Sequence, residues 1–255
     1  MALRADLRDV AALRKEVNLY RADAVVHLAA VSYVAHEDAT DFYRTNVVGT
    51  FHLLSILAES TAPPNKVLLA SSANVYGNCA ISPIAETQLP APVNHYAMSK
   101  LAMEHMSAVF ADRLTIMTAR PFNYTGPGQA SQFLIPKLVQ HFATRKPFIE
   151  LGNVHVQREF NDVRMICQAY LKMLDYKGGA ALLNVCTGKT YSITDVLGKL
   201  EIVTGHRLHI RINPDLVRVN EVDRLCGDPS LLHQKLGTLT DWALEATLSS
   251  MLEFG

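Results

Sequence analysis

The chain has 255 residues, enough for one large or two small domains with a substantial core. Lysine plus arginine and aspartate plus glutamate balance at 24 each, so there is no basic field for nucleic acid or an anionic membrane surface. The longest apolar stretch, Ala24 to Ala35, is too short to cross a bilayer and contains His27, and the opening residues do not read as a signal peptide.

In chain order, Ala24–Ala30 reads as a strand, and His36-Glu37-Asp38 as a solvated helix start. Asp38–Ser60 reads as a long amphipathic helix with Phe42, Val47, Phe51, Leu54 and Leu57 near one stripe. Lys66–Ser72 is a short apolar run of the kind found in buried parallel strands. A helix is predicted over 94–112 and a further strand over 114–120, before Pro121 and the Gly126-Pro127-Gly128 turn break the pattern. Helices are then predicted near 131–145, over 162–175 and over 192–205. Residues 150–161 read as irregular, and a strand is predicted over 181–186. Strands alternating with helices predict an α/β fold, a doubly wound parallel sheet. The predicted division is a dinucleotide-binding part over 1–126, to which 162–186 return, and a smaller mixed α/β substrate domain over 127–255. Cys79, Cys167, Cys186 and Cys226 lack C-x-x-C spacing, which points to free thiols in a reducing compartment, the cytoplasm. The histidines show no ligand spacing, and no metal site is expected.

The chemistry lies in Tyr96 and Lys100, four residues apart in Asn94-His95-Tyr96-Ala97-Met98-Ser99-Lys100. On a helix they share one face. A free phenol titrates near about 10, so work at neutral pH asks for roughly 4 kcal/mol of help to the phenolate. One positive charge at about 4 Å supplies about that much at an effective dielectric near 20. Ser72, at the end of the preceding strand, can hydrogen-bond a substrate oxygen where charge develops. Y-x-x-x-K alone is a common surface pattern. Its position between a strand ending in serine and a second strand is the order that hydride transfer to a carbonyl needs. Two other motifs fail. Gly188-Lys189-Thr190 resembles the end of a phosphate-binding loop, but the required first glycine is Leu183, and no G-x-S-x-G elbow is present.

The chain resembles the extended short-chain dehydrogenase/reductase family of nucleotide-sugar enzymes along nearly its whole length. The resemblance rests on Asp6-Leu7-Arg8-Asp9, Val26-His27-Leu28-Ala29-Ala30, Thr45-Asn46 with Gly49-Thr50, and Ser71-Ser72-Ala73-Asn74-Val75-Tyr76-Gly77. The second half is most similar to the branch of GDP-4-keto-6-deoxy-mannose reductases and GDP-mannose dehydratases. It carries Arg120-Pro121-Phe122-Asn123-Tyr124-Thr125-Gly126-Pro127-Gly128-Gln129, Arg158-Glu159-Phe160, Asn184-Val185-Cys186-Thr187-Gly188 and Arg218-Val219-Asn220-Glu221-Val222-Asp223. The resemblance implies Ser72, Tyr96 and Lys100 as catalytic residues. It implies cofactor contacts by Asp6, Leu7, Leu28, Ala29, Ala30, Ala70, Ser71, Tyr96, Lys100, Pro121 and Phe122. It further implies contacts to a GDP-linked hexose by Ser72, Asn123, Arg158, Arg218 and Glu221, with NADP or NAD as cofactor. A homodimer through the helices at 38–60 and 94–112 is also implied.

Two departures qualify this. Dehydratases of the family carry an acidic residue just after the catalytic hydroxyl, whereas here Ala73 and Asn74 follow Ser72 and neither is an acid or base at neutral pH. Reduction at C4, or a 4-epimerase cycle on retained NAD, is therefore favoured over dehydration. The family also opens with a strand, a G-x-x-G-x-x-G turn and a helix that hold the pyrophosphate. No glycine precedes Gly49 here. The expectation is a chain that begins after the first strand, first helix and second strand, with an unpaired sheet edge. A non-catalytic homologue that only binds nucleotide sugar is the third reading.

Overall fold

The computed structural model describes residues 2–34, 36–217 and 224–254. The elements run α1 (Val10–Tyr20), β1 (Ala24–His27), α2 (Ala39–Tyr43), a π-helical turn (Arg44–Gly49), α3 (Thr50–Glu59), β2 (Lys66–Ala70), a 3-10 turn (Ala73–Tyr76), α4 (His95–Ser107) and β3 (Ile116–Pro121). They continue through β4 (Tyr124–Thr125), α5 (Leu134–Ala143), β5 (Phe148–Leu151), β6 (Gln157–Arg158), β7 (Asn161–Asp162), α6 (Val163–Asp175) and β8 (Ala181–Val185). The last are β9 (Tyr191–Ser192), α7 (Ile193–Thr204), β10 (His209–Ile212), β11 (Arg224–Leu225), α8 (Ser230–Leu236) and α9 (Leu244–Phe254).

Two compact units share the chain. The first holds Met1–Gly77, Glu86–Pro121 and Tyr170–Asn184, and the second Asn78–Ala85, Phe122–Ala169 and Val185–Gly255. Against the predicted division, the chain passes into the second unit at Phe122 rather than after 126, returns over a shorter stretch, and sends Asn78–Ala85 across.

The first unit is built on a sheet of order β1-β2-β3-β8. β1 pairs parallel with β2, Val25 opposite Val67, and β2 parallel with β3, Leu68 opposite Met117. Val67 and Leu69 pack with Leu13 of α1, Leu53, Leu54 and Leu57 of α3 and Met103 of α4. Leu68 and Met117 point to the opposite face and are equally buried. A central strand covered on both sides explains the unbroken apolar run at 66–70. This is a Rossmann-type α/β fold. β1 is the terminal strand of the described sheet; Val26 within it is 42% exposed and Leu28 just after it 59%.

Sequence and structure differ in detail at several elements. The predicted helix over 38–60 does start at an Asp38 cap, whose carboxylate accepts from the Thr40 amide. It then passes through the π turn around Asn46, whose side chain bonds out of the helix to Val31 and Ser99. The stretch 150–161 is irregular over 152–156 and 159–160 but holds strand residues as well: β5 runs parallel to β10, while β6 is flanked by β11 and β9. A hydrophobic core from α5, α7, α9 and β5 fills the second unit, with Leu138, Phe142, Val196, Leu200 and Leu248 buried.

The turn after Ser72 depends on Gly77. Its φ is +59°, and a Cβ there would stand 1.9 Å from the Ala91 carbonyl oxygen. Gly77→Ala is therefore expected to destabilise the chain by about 1–3 kcal/mol in urea denaturation. An unchanged midpoint would show that this turn is not held as described.

Candidate active site

Asn94 starts α4 by accepting the Ala97 amide on its side chain, an ordinary N-cap. Tyr96 follows in the first turn, where the helix dipole favours a developing negative charge. The ring is 9% exposed and lies 6.1 Å from that of Phe42, at 58°. One turn on, Lys100 is 4% exposed, and its Nζ donates to the Ala70 carbonyl at 2.7 Å, the last residue of β2. Ser72 caps the 3-10 turn, its hydroxyl oxygen accepting from the Asn74 amide at 3.2 Å, and that turn packs on α4. Lys100 and Ser72 thus lie at the carboxyl end of β2, with Tyr96 one turn before Lys100 on the same helix, at the edge where α/β sheets place their ligands.

The electrostatics are those of a buried cation. Burial, opposed by the Glu104 charge, pulls the Lys100 ammonium down from 10.5 to about 8. His27, at the end of β1, is pushed down to about 4 by burial first and by Lys100 second, so it is neutral at pH 7. Its Nε2 lies 2.8 Å from the Thr50 hydroxyl, which donates to the Asn46 carbonyl. Asn46 is fully buried and fastens Val31 to Ser99 of α4, tying the segment after β1 to the Tyr/Lys helix.

The nicotinamide–ribose end of a dinucleotide fits this edge. Leu28, Ala29 and Ala30 follow β1 outside the strand ladder, and Leu28 and Ala29 are exposed. Ala70 and Ser71 end the neighbouring strand. The Ser71 hydroxyl, however, donates to Glu104, and its amide donates to the Ala119 carbonyl at 2.7 Å. Asp6 is exposed, and its carboxylate is clamped by Arg8 through three side-chain bonds of 3.1, 3.2 and 2.8 Å, which hold it down to about 2. Leu7 lies against Gly49, where a Cβ would stand 2.8 Å from its own, and its carbonyl bonds His52 Nδ1 at 2.9 Å. Pro121 is buried at the end of β3.

Phe122, Asn123 and Arg158 belong to the second unit. Phe122 is fully buried, and its ring fills the space a side chain at Gly227 would need. Asn123 is exposed, and its carbonyl accepts from both Asn161 nitrogens. Arg158 is half-buried on β6, opposite Tyr191 and Leu225. Its neighbour Glu159 points inward, accepting from the amides of Gly227, Thr187 and Gly188 and from the Asn161 side chain. Burial pushes that carboxyl up, and these bonds pull it back. Arg218 and Glu221 lie outside the described residues.

Two features go beyond the motif reading: the bonds of the motif residue Asn46 to Val31 and Ser99, and Glu104. Glu104 repeats the spacing of Tyr96 and Lys100 once more, and that was the available signal.

A family model for GDP-mannose 4,6-dehydratase matches residues 2–253. The chain belongs to that family. It is 33% identical over 232 residues to a GDP-6-deoxy-D-talose 4-dehydrogenase of Aggregatibacter actinomycetemcomitans, covering 91% of this chain and 79% of that protein. It is 34% identical over 241 residues to a GDP-6-deoxy-D-mannose reductase of Pseudomonas aeruginosa, covering 90% and 78%. The structure of RMD from Pseudomonas aeruginosa complexed with NADPH superposes with a TM-score of 0.92 at 30% identity, over 100% of this chain and 88% of that one. These family members are enzymes of nucleotide-sugar oxidation and reduction. Among the described residues no helix is long and apolar enough to cross a membrane.

The buried ammonium sets a pH signature. An unfolded lysine holds its proton until about 10.5, while the folded one releases it near 8. This group therefore weakens the fold below pH 8, and the loss is recovered as pH rises from 8 to 10.5. Lys100→Met is expected to raise stability at pH 7 by roughly 1–3 kcal/mol in urea denaturation, with the gap closing by about pH 10.5. A less stable variant, or a gap constant with pH, would contradict the assignment.

Proposed function

We propose that the protein reduces the C4 carbonyl of a GDP-linked 4-keto-6-deoxyhexose, with NADPH or NADH as reductant. The observation that carries this reading is the buried Lys100 ammonium, one helical turn after Tyr96, on the carbonyl of Ala70, two residues before Ser72. The bound dinucleotide supplies hydride. Tyr96 gives its proton to the developing alkoxide, aided by the positive end of α4 and by Lys100. Ser72 hydrogen-bonds the same oxygen through its hydroxyl, keeping its proton, and so fixes the carbonyl. Lys100 also offers its remaining N–H groups to the nicotinamide ribose. Asn123 and Arg158 are assigned to the diphosphate, for which a guanidinium fork suits the phosphate oxygens. Arg218 takes the same role, and Glu221 suits a ribose diol.

Dehydration is disfavoured by chemistry at the site itself. Ala73 is 1% exposed, and the Asn74 amide is committed to the Ser72 hydroxyl at 3.3 Å. Neither can remove a proton and expel water. The two curated relatives support C4 as the reacting carbon, since one is named for the talose sugar and one for its C4 epimer. Epimerisation on retained NAD would use the same trio without net consumption of reductant.

The full chain, given GDP-4-keto-6-deoxymannose and NADPH, is expected to oxidise the reductant and yield one C4 epimer by proton NMR. Tyr96→Phe should lower kcat by roughly 10²–10⁴-fold. Turnover that survives this change, or interconversion of epimers without loss of NADPH, would refute the reading.

The same reading includes a homodimer through α3 and α4. Phe51 is 47% exposed, Met98 44% and Val109 77%, and the Phe51 ring meets that of Phe110 at 6.0 Å. Phe51→Asp is expected to convert a dimer into a monomer in sedimentation velocity. A monomeric wild type would overturn this part.

A further inference from the structure

Tyr96, Lys100 and Glu104 form one stripe of α4 at four-residue spacing. Glu104 carries a buried ion pair. Its side chain is 7% exposed and that of its partner Arg120 is 5%. Arg120 on β3 donates from Nε to Oε1 at 2.9 Å and from Nη2 to Oε2 at 2.5 Å, a two-pronged fork of the strong kind. Glu104 Oε1 also accepts the Ser71 hydroxyl. Two successive residues at the end of β2 are thereby gripped from α4 by side chains one turn apart, Ala70 by Lys100 and Ser71 by Glu104. Arg120 extends the grip past Ser72. Its Nη1 donates to the Tyr76 hydroxyl at 2.9 Å, its guanidinium lies 4.8 Å from the centre of that ring, and Tyr76 donates to Asn184 at 2.7 Å. Ser72 is therefore anchored on both sides, at Ser71 and at Tyr76, by one ion pair.

Stability alone does not account for such a pair. Desolvating two charges offsets most of their attraction, and apolar replacements are often neutral or better. We propose that Glu104, braced by Arg120, is the positioning residue of this site: it fixes the Ala70–Ser72 strand end against α4 and holds a carboxylate one turn from the Lys100 ammonium. The inference rests on the reading of the trio given above and adds a second layer to it.

The titratable and charged groups around this cluster, among the described residues, are Tyr96 and Glu104 on α4, His27 on β1, Arg120 on β3, Tyr76 in the 3-10 turn, and Glu86, which accepts the Asn184 amide at 2.7 Å and raises the Tyr76 phenol. His27 is neutral at pH 7, and burial pushes the Tyr76 phenol up, against the pull of Arg120 and Asn184. Glu104 is the charge that acts on Lys100, and Arg120, of opposite sign, is paired to it, so each single neutralisation has a defined direction.

The test is a titration of Lys100 in the full chain without substrate or cofactor. Lysine carrying ¹³C at Cε is followed by NMR, and the Lys100 signal is assigned by its loss in Lys100→Met. The wild-type midpoint is expected near about 8. Glu104→Gln strands the Arg120 charge and should lower it by roughly one pH unit, whereas Arg120→Gln strands the carboxylate and should raise it by a similar amount. The double variant should return toward the wild type. If Glu104→Gln fails to fold, Glu104→Asp, which withdraws the charge by one methylene, should move the midpoint down by less. Unmoved midpoints, or shifts of one sign in both single variants, would overturn the inference. A wild type that turns over no ketosugar would instead refute the reading of the trio, and an unmoved Lys100 leaves that reading standing.

Discussion

A lysine ammonium buried at 4% exposure on the last carbonyl of a strand is the constraint around which the first unit is arranged. Everything that makes Lys100 costly also makes it useful. Burial strips water from the charge, and the field it exerts on a neighbouring phenol is then weakly screened. The chain accommodates that charge with a carbonyl acceptor and a carboxylate one turn away, while the neighbouring histidine stays neutral. Sites that work at a cost to the fold are where local rules of stability are expected to fail.

The sheet supplies the precision. β2 is covered on both faces and flanked by β1 and β3, so its end is among the most firmly placed points in the unit. Ser72 leaves that end directly into a capped turn closed by Gly77. α4 is fastened to the same end by Lys100, and to the segment after β1 by Asn46 and Ser99. The π turn at Arg44–Gly49 turns Asn46 out of its own helix to reach both, a placement common where helices carry function. Reactive groups held from three directions need little rearrangement when charge develops on a bound carbonyl.

How much of this was legible in the sequence follows from range. Tyr96, Lys100 and Ser72 are tied to elements whose signals are local: an apolar run, a cap, a four-residue spacing. The strands around them were readable for the same reason. The Glu104–Arg120–Tyr76–Asn184 chain was not, because it joins residues up to 108 apart in sequence, and none of them alone departs from an ordinary helix or strand residue. Strands of two residues, such as β4, β6 and β7, are too short to show any period, so 150–161 read as irregular. The π turn hid within a continuous helical pattern. Phe122, a motif residue expected at the cofactor, has its ring buried against Gly227.

The central claim is that this trio directs hydride to a sugar carbonyl, with Tyr96 as the proton donor. Its most direct test follows the label. NADPH deuterated at both C4 positions of its ring is incubated with the chain and a GDP-4-keto-6-deoxyhexose in ordinary water, and the product sugar is read by NMR and mass spectrometry. The account predicts one deuterium, bound to C4 of the sugar, for each NADPH consumed. Deuterium at any other carbon, or a product formed with protium at C4, would contradict it.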